Sequence, residues 1–197
     1  MRWLIPRLGD LQAAIGLERE LRLVSAGGSV PFSREGIDLA IRRADFPSPI
    51  DVRAEPFLEE HVGPVCRPEL ASALVDTGAA VQGVLLHSST RPAAWSQWAQ
   101  TAKARLAPTR DLHFEHFYLS LQAATAGAGI AIGPIALVAD DIDNGLLCAP
   151  RGFIADGSHY VLMAPISNRP TDTFDTVLTW LRSNTVDLQD RWRTTTR

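Results

Sequence analysis

Residues 116–134 read HFYLSLQAATAGAGIAIGP, and this stretch decides the fold. It predicts a helix over 118–126, a glycine-rich turn and a buried strand over 129–132. Pro134 then opens a second helix that closes at Asn144-Gly145, because proline fits the first position of a helix and glycine the position after its last turn. The order helix, strand, helix is typical of α/β proteins.

The same alternation extends outward in both directions. Strands are predicted where apolar and polar residues alternate or where short apolar runs lie between turn residues: 20–26, 37–42, two pieces of 51–66, 83–88, 111–115, 146–149 and 160–164. Helices are predicted at 3–15, at 29–36, through Trp95 and Trp98 with Thr90 as the cap, and from Thr171 onward. This order favours an α/β fold with a mainly parallel sheet, and the polar tail after Asn184 is expected to be loosely held.

The charge balance excludes one class of function. The chain has 197 residues, and its 19 basic and 22 acidic side chains give a net charge of −3. Proteins that bind nucleic acid by themselves normally carry a basic surplus, because neutralising phosphates supplies most of their affinity. The chain alone is therefore not predicted to bind DNA.

Targeting and cysteine patterns indicate a cytoplasmic protein. The N-terminal residues MRWLIP lack the apolar run of a signal peptide, and the most apolar stretch, 127–139, is shorter than the ~20 residues that span a bilayer. Cys66 and Cys148 form no CxxC pair, so we expect two half-buried thiols in a reducing compartment, with neither a disulfide scaffold nor a zinc ribbon. No membrane partner is expected.

A glycine motif near the quoted stretch does not predict a nucleotide cofactor. Gly127, Gly129 and Gly133 have the spacing GxGxxxG, and they follow a helix and precede a strand. A dinucleotide fingerprint needs the reverse order and a shorter spacing. We expect no cofactor, and these glycines are interpreted as a helix end that leads into a tightly packed strand.

The cluster that most resembles a set of metal ligands also gives poor evidence for a metal site. His113, Glu115 and His116 lie at a strand-to-helix turn, whereas metalloprotease sites place two histidines four residues apart on a helix. No nucleophile elbow of the GxSxG type occurs. We therefore expect no enzyme and no metal, and a metal-dependent enzyme that uses this cluster stays as the less favoured alternative.

Binding residues are predicted where strands end and helices begin. Helix N-termini carry unpaired N–H groups and partial positive charge, and ligands of open α/β sheets bind beyond the carboxyl ends of the strands. Simple helix capping is the alternative role for these hydroxyl groups. The candidates for an anionic ligand are Ser25, Ser29, Ser88, Thr90, Arg91, Glu115, His116, Phe117 and Tyr160.

Several segments together resemble a known family. They are RWLIPRLGDLQ (2–12), REGIDLAIR (34–42), PVCRPELA (64–71), LLHSSTRPAAWSQW (85–98), HFYLSLQAATAGAGIAIGP (116–134) and LVADDIDNGLLCAP (137–150). They resemble, in order from residue 2 to about residue 183, the effector-binding domain of LysR-type bacterial transcriptional regulators. The resemblance is strongest to the branch that contains the glycine-cleavage activator and the β-lactamase regulator.

The resemblance implies a type 2 periplasmic-binding-protein-like fold, in which two α/β lobes joined by two crossover strands enclose a small-molecule cleft. Lobe I would comprise 1–66 and 162–197, and lobe II 67–161, with crossovers near Val65-Cys66 and Tyr160-Val161. Tyr160 would line the effector cleft, and His116-Phe117 would form its lobe II wall.

Two departures from the family pattern affect the expectations. The N-terminal winged helix-turn-helix does not occur in this sequence, so DNA would be contacted only through that missing part. The first strand of lobe I, which normally precedes the RWLIPRL helix, is also apparently missing. We expect rearranged strand pairing, the C-terminal tail or a partner chain to close the gap, because unpaired buried backbone is costly.

The function implied by the resemblance is sensing of a small effector, anionic or amino-acid-like, by a LysR-type regulator. The family dimerises, so residues 3–15 and 118–126 are the expected homodimer surfaces. Packing into the core of the same chain is the alternative for their apolar faces. A stand-alone small-molecule-binding protein of the same fold, with no role at DNA, is the alternative from a different class.

Overall fold

The computed structural model describes residues 2–25, 30, 32, 36–45, 50–75, 80–166 and 171–193. Its helices are α1 (Leu8–Ile15), α2 (Ser72–Val75), α3 (Ala94–Thr101), α4 (Phe117–Thr125), α5 (Ile135–Asp143) and α6 (Thr171–Arg193), with 3-10 turns at Ile5–Arg7 and Pro68–Leu70. Its strands are β1 (Ala40–Arg43), β2 (Val52–Val65), β3 (Val81–Ser88), β4 (Leu106–Phe114), β5 (Ile130–Pro134) and β6 (Ile154–Pro165).

The described strands form a mixed sheet in the order β1-β6-β2-β5-β3-β4. β3 pairs in parallel with both β4 and β5, whereas β1 pairs antiparallel with β6, and β2 antiparallel with β5. The prediction of a mainly parallel sheet is therefore wrong outside β5-β3-β4. Parallel pairing needs a crossover element, and helices α3 and α4 supply one on each side of β4.

Contacts divide the chain into two units. Unit 1 comprises Met1–Glu60 and Gly157–Arg191, and unit 2 comprises His61–Asp156 and Trp192–Arg197. Strands β2 and β6 each run from one unit into the other. The predicted lobe boundaries, after residues 66 and 161, lie five or six residues further along the chain and stay a prediction.

Unit 1 is built on helix α6, whose apolar residues face its core. Phe174 and Leu181 are buried, and Trp180 packs against Trp3 with ring centroids 5.8 Å apart. Helix α6 continues to Arg193, and Thr185 and Leu188 extend its buried face, so the prediction of a loose tail after Asn184 is wrong as far as Leu188.

Unit 2 has an apolar cluster on each face of its sheet. Adjacent residues of β3 point to opposite faces, so Leu85 joins the cluster of Trp95 and Trp98 from α3, whereas Leu86 joins the cluster of Leu121 from α4. The Trp95 Nε1–H donates to the Leu86 carbonyl at 3.1 Å. Both faces are therefore covered, which agrees with the fully buried β5 and with the apolar centre of β3 at residues 84–86.

One glycine of β2 is required by a close backbone approach. A Cβ on Gly63 would collide with the carbonyl oxygen of Gly152 and would touch the Phe153 ring at 3.2 Å. Gly152 itself has φ +63°, a conformation that glycine adopts at little cost. The pair lets the segment before β6 pack directly on β2.

Three sequence predictions of strands are corrected. Residues 20–25 form no strand and are mostly exposed, because alternation alone does not provide a neighbouring strand to pair with. Segment 51–66 is one continuous strand, β2, and within segment 146–149 the described pairing is an isolated bridge of Cys148 to Cys66. The other predicted elements occur with shifted ends, except the 29–36 helix, which lies mostly outside the described residues.

Unit 1, as far as it is described, contains β1, the first part of β2 and the last part of β6. The expectation that rearranged strand pairing, the C-terminal tail or a partner chain completes this sheet stays a prediction.

Candidate functional site

A polar turn follows β3 in unit 2. Ser88 ends β3 and is almost fully buried, and its Oγ lies 2.8 Å from the Thr90 Oγ1 and accepts the Thr90 N–H at 3.3 Å. Strand β4 ends beside it, since the Ser89 N–H donates to the Phe114 carbonyl at 2.9 Å. The carboxyl ends of two parallel strands thus place two hydroxyl groups at one edge of the sheet.

The sequence predicts Thr90 as the cap of the following helix, and this prediction is wrong. Helix α3 begins at Ala94 and its N-cap is Ala93. The Thr90 side chain is instead held by Ser88, and the Arg91 N–H donates to the Ser88 carbonyl at 3.0 Å. A compact turn therefore separates β3 from α3.

Arg91 and Phe117 lie together next to this turn. The Arg91 guanidinium carbon is 4.7 Å from the centre of the Phe117 ring, within the range of a cation–π contact. Phe117 is the first residue of α4, whose N-cap, His116, makes no side-chain cap bond to the described residues. A guanidinium, two hydroxyls and a helix start form a cationic, hydrogen-bonding surface that suits an anionic ligand.

Glu115 and His116 lie at the rim of this surface. Both are exposed, the His116 ring stacks on Tyr118 at 5.6 Å, and its Nε2 is 3.9 Å from the nearest Glu115 carboxylate oxygen. His113 stacks on His87 with ring centroids 4.8 Å apart. Among the described residues, no three His, Cys, Asp or Glu side chains are grouped so that they could hold a metal ion.

Tyr160, the remaining candidate that the structure describes in detail, belongs to unit 1 and is engaged by a carboxylate. Its hydroxyl donates to Glu60 Oε1 at 2.5 Å, and Arg43 Nη1 lies 2.6 Å from Glu60 Oε2. Arg43 also forms a bidentate pair with Asp45, at 3.0 and 3.1 Å. Tyr160, Glu60 and Arg43 come from three neighbouring strands, β6, β2 and β1, and form a polar cluster in which Glu60 is buried and the other two are half-buried.

The sequence analysis missed Arg43 and Glu60, although a signal existed for Glu60. In β2, Leu58, Glu60 and Val62 share one face, and all three are buried. A carboxylate in an apolar register indicates a buried ion pair, because an unpaired buried charge is strongly unfavourable. Its partner, 17 residues earlier in the chain, is determined only by the pairing of the strands.

The two serines predicted near the N-terminus do not join the unit 2 surface in what is described. Ser25 is exposed in an irregular segment of unit 1, and Ser29 lies outside the described residues. Ser88, Thr90, Arg91 and Phe117 are therefore the candidates that the fold brings together.

No helix within the described ranges has both the length and the apolar character needed to cross a membrane.

Comparison with known proteins identifies the family. Residues 1–186 match the LysR substrate binding domain family. The chain is 38% identical over 169 residues to the HTH-type transcriptional regulator TrpI of Pseudomonas aeruginosa, covering 83% of this chain and 57% of that protein. It is 31% identical over 187 residues to the HTH-type transcriptional activator AmpR of Rhodobacter capsulatus, covering 95% of this chain and 64% of that protein.

Solved structures agree with this assignment. The effector domain of the transcriptional regulator AmpR of Pseudomonas aeruginosa superposes with a TM-score of 0.77 at 28% identity, covering 96% of this chain and 92% of that chain. The AmpR effector binding domain of Citrobacter freundii gives a TM-score of 0.71 at 25% identity, covering 92% and 90%. The chain spans about three fifths of the length of the two regulators named above. The chain belongs to the LysR substrate-binding-domain family and has its periplasmic-binding-protein-like α/β fold.

Proposed function

We propose that the chain is the effector-sensing domain of a LysR-type transcriptional regulator and binds a small anionic or amino-acid-like metabolite. The observation that carries this proposal is the grouping of Ser88, Thr90, Arg91 and Phe117 at the strand ends of unit 2. The solved relatives support it, since they are described as effector or effector-binding domains.

The chemistry of these residues favours a carboxylate. A guanidinium presents two parallel N–H groups that match the two oxygens of a carboxylate, and the cation–π contact holds the Arg91 guanidinium next to the Phe117 ring. The hydroxyls of Ser88 and Thr90 both donate and accept, so they suit a ligand that carries an additional hydroxyl or amino group.

A thermal-shift screen of amino acids and small carboxylates tests the proposal. A ligand at one hundred times its Kd adds about 2.7 kcal/mol, which raises the Tm by roughly 5–10 °C. Arg91→Ala and Ser88→Ala should abolish most of that shift. The matched controls Arg110→Ala and Ser96→Ala change exposed residues of β4 and α3 and should keep the shift.

Two results would contradict the proposal. An equal shift in Arg91→Ala and in the unchanged chain would show that the unit 2 surface is not the binding site. A stoichiometric metal content in the purified protein would instead favour the alternative function, an enzyme that uses His113, Glu115 and His116.

The proposal includes a homodimer through residues 3–15 and 118–126. Each segment exposes a large apolar side chain, Ile5 at 54% and Tyr118 at 55%. Ile5→Asp should therefore reduce the dimer fraction in light scattering coupled to size exclusion. Ile50→Asp, which changes an isoleucine that is 91% exposed but lies outside both segments, is the control. Equal behaviour of both variants would contradict the assigned surface.

Transcriptional control is proposed for the complete regulator of which such a domain is part, acting in the cytoplasm. The relatives carry the description HTH-type, and the matched region covers only part of their length. Contact with DNA is assigned to a winged helix-turn-helix outside these 197 residues, since the chain has a net charge of −3.

A further inference from the structure

The two cysteines of the chain face each other in unit 2. Cys66 and Cys148 form an isolated antiparallel bridge, in which the Cys148 N–H donates to the Cys66 carbonyl at 2.8 Å and the Cys66 N–H donates to the Cys148 carbonyl at 3.2 Å. Their sulfur atoms are 3.9 Å apart. Directly opposed residues in such a pair have Cα atoms about 5.5 Å apart, within the range that a disulfide spans.

The two sulfurs differ in accessibility. Cys66 has no exposed surface, whereas Cys148 is partly exposed. Burial raises the pKa of the Cys66 thiol to about 12, and burial also raises the pKa of Cys148. Both thiols are therefore protonated at neutral pH, so the pair reacts slowly and Cys148 is the sulfur that a small reagent reaches first.

We propose that Cys66 and Cys148 form a reversible intrachain disulfide in exchange with a low-molecular-weight disulfide. The Cys148 thiolate attacks one sulfur of the small disulfide, forms a mixed disulfide and releases the first small thiol. Cys66 then attacks the Cys148 sulfur, loses its proton and releases the second small thiol. Two protein thiols are oxidised and one small disulfide is reduced to two thiols, so atoms and electrons balance.

The position of the two cysteines means that a disulfide between them would close a long loop of the chain. Cys66 follows the last residue of β2, and Cys148 lies six residues before the first residue of β6, the two strands that run on into unit 1. The bond would close a chain segment of 82 residues and join two positions inside unit 2 that lie near its borders at His61 and Asp156. The oxidised form resists unfolding because the crosslink restricts the unfolded chain.

The test incubates the full chain in glutathione buffers that range from fully reduced to fully oxidised. Free thiols are counted after denaturation, and non-reducing peptide mass spectrometry identifies the linked cysteines. Both thiols should disappear together, as a peptide pair that contains Cys66 and Cys148. The Tm of the oxidised chain should rise by roughly 5–15 °C, as expected for a loop of this length, and should return on reduction.

Two variants complete the design. Cys148→Ser and the double variant Cys66→Ala with Cys148→Ser should show a Tm that does not respond to the glutathione ratio. The proposal is overturned if the unchanged chain keeps both thiols in fully oxidised buffer, stops at a stable mixed disulfide on Cys148, or crosslinks only between chains. These outcomes are read on the unchanged chain, so they do not depend on the folding of a variant.

Discussion

Replacing Tyr160 by phenylalanine separates a structural role of its hydroxyl from a role in ligand binding. The Tyr160 ring packs on Phe57 with centroids 6.3 Å apart, and phenylalanine keeps that contact. What disappears is the hydrogen bond to Glu60 at 2.5 Å. The expected result is a loss of stability in the ligand-free protein.

The size of the loss follows from the acceptor. A hydrogen bond to a charged group contributes about 1.5–3 kcal/mol, and the lower half of that range applies here because Tyr160 is only partly buried. Glu60 is 1% exposed and keeps its ion pair with Arg43 in the variant, so its carboxylate is not left without a partner. We expect a loss of about 1.5–2 kcal/mol, which lowers the Tm by roughly 3–8 °C.

The assay is urea and thermal unfolding without ligand. The other tyrosine of the chain supplies a matched control, since Tyr118 is exposed and Tyr118→Phe should change the free energy of unfolding by no more than about 0.5 kcal/mol. A double-mutant cycle with Glu60→Gln should give a coupling energy between Tyr160 and Glu60 of about 1 kcal/mol.

An unchanged Tm in Tyr160→Phe, together with a coupling energy near zero, would refute this reasoning. If such a stable variant bound the ligand more weakly, the Tyr160 hydroxyl would have the role in effector binding that the family resemblance implies. A loss of stability without a change in ligand affinity would make the hydroxyl a purely structural group.

Three further predictions follow from the packing. Gly63→Ala should lower the free energy of unfolding by about 1–3 kcal/mol through its backbone collision, whereas Gly9→Ala, a helical position with open space, should leave it unchanged or raise it by up to about 1 kcal/mol; urea midpoints compare the two. Trp95→Phe should cost about 1–3 kcal/mol, because it removes a buried hydrogen bond and leaves a gap, and a loss below about 0.5 kcal/mol would contradict the described packing. Burial raises the pKa of the Cys66 thiol from its ordinary value of 9.0 to about 12, so the stability that this thiol contributes is present below pH 9 and is lost as the pH rises toward 12. Between pH 8 and 10.5, the free energy of unfolding of the reduced protein, measured in urea, should therefore fall by about 1–2 kcal/mol more than that of Cys66→Ala. An equal fall in both proteins would contradict this reasoning.

Much of the local structure was predictable because it depends on short-range signals. Pro134 and Gly145 bound helix α5 as proline and glycine normally do, and the spacing of Trp95 and Trp98 marks the buried face of α3. The start of β6 was missed because its first six residues, from Ile154, are alternately half-buried and exposed and include no buried residue. The prediction at 20–26 was wrong because alternation describes one strand and says nothing about a partner.

The candidate site was predictable in part for the same reason. Ser88, Thr90 and Arg91 are neighbours in sequence, and their place after a buried strand was visible without the fold. The contact of Arg91 with Phe117 joins a residue of the turn after β3 to the first residue of α4 and depends on the parallel register of β3 and β4. Tyr160 was correctly placed on a strand, but its partner could not be inferred.

The sequence by itself determined the α/β class, the family and the residues that carry polar chemistry at strand ends, because these depend on periodicity, turn residues and recognisable motifs. The tertiary structure decided which distant side chains meet. The Tyr160–Glu60–Arg43 cluster and the Cys66–Cys148 pair depend on strand order and register, which bring together residues separated by 100 and 82 positions. Pairing at such distances is set by burial across the whole chain, because a buried charge or backbone group is stable only where another element supplies its partner.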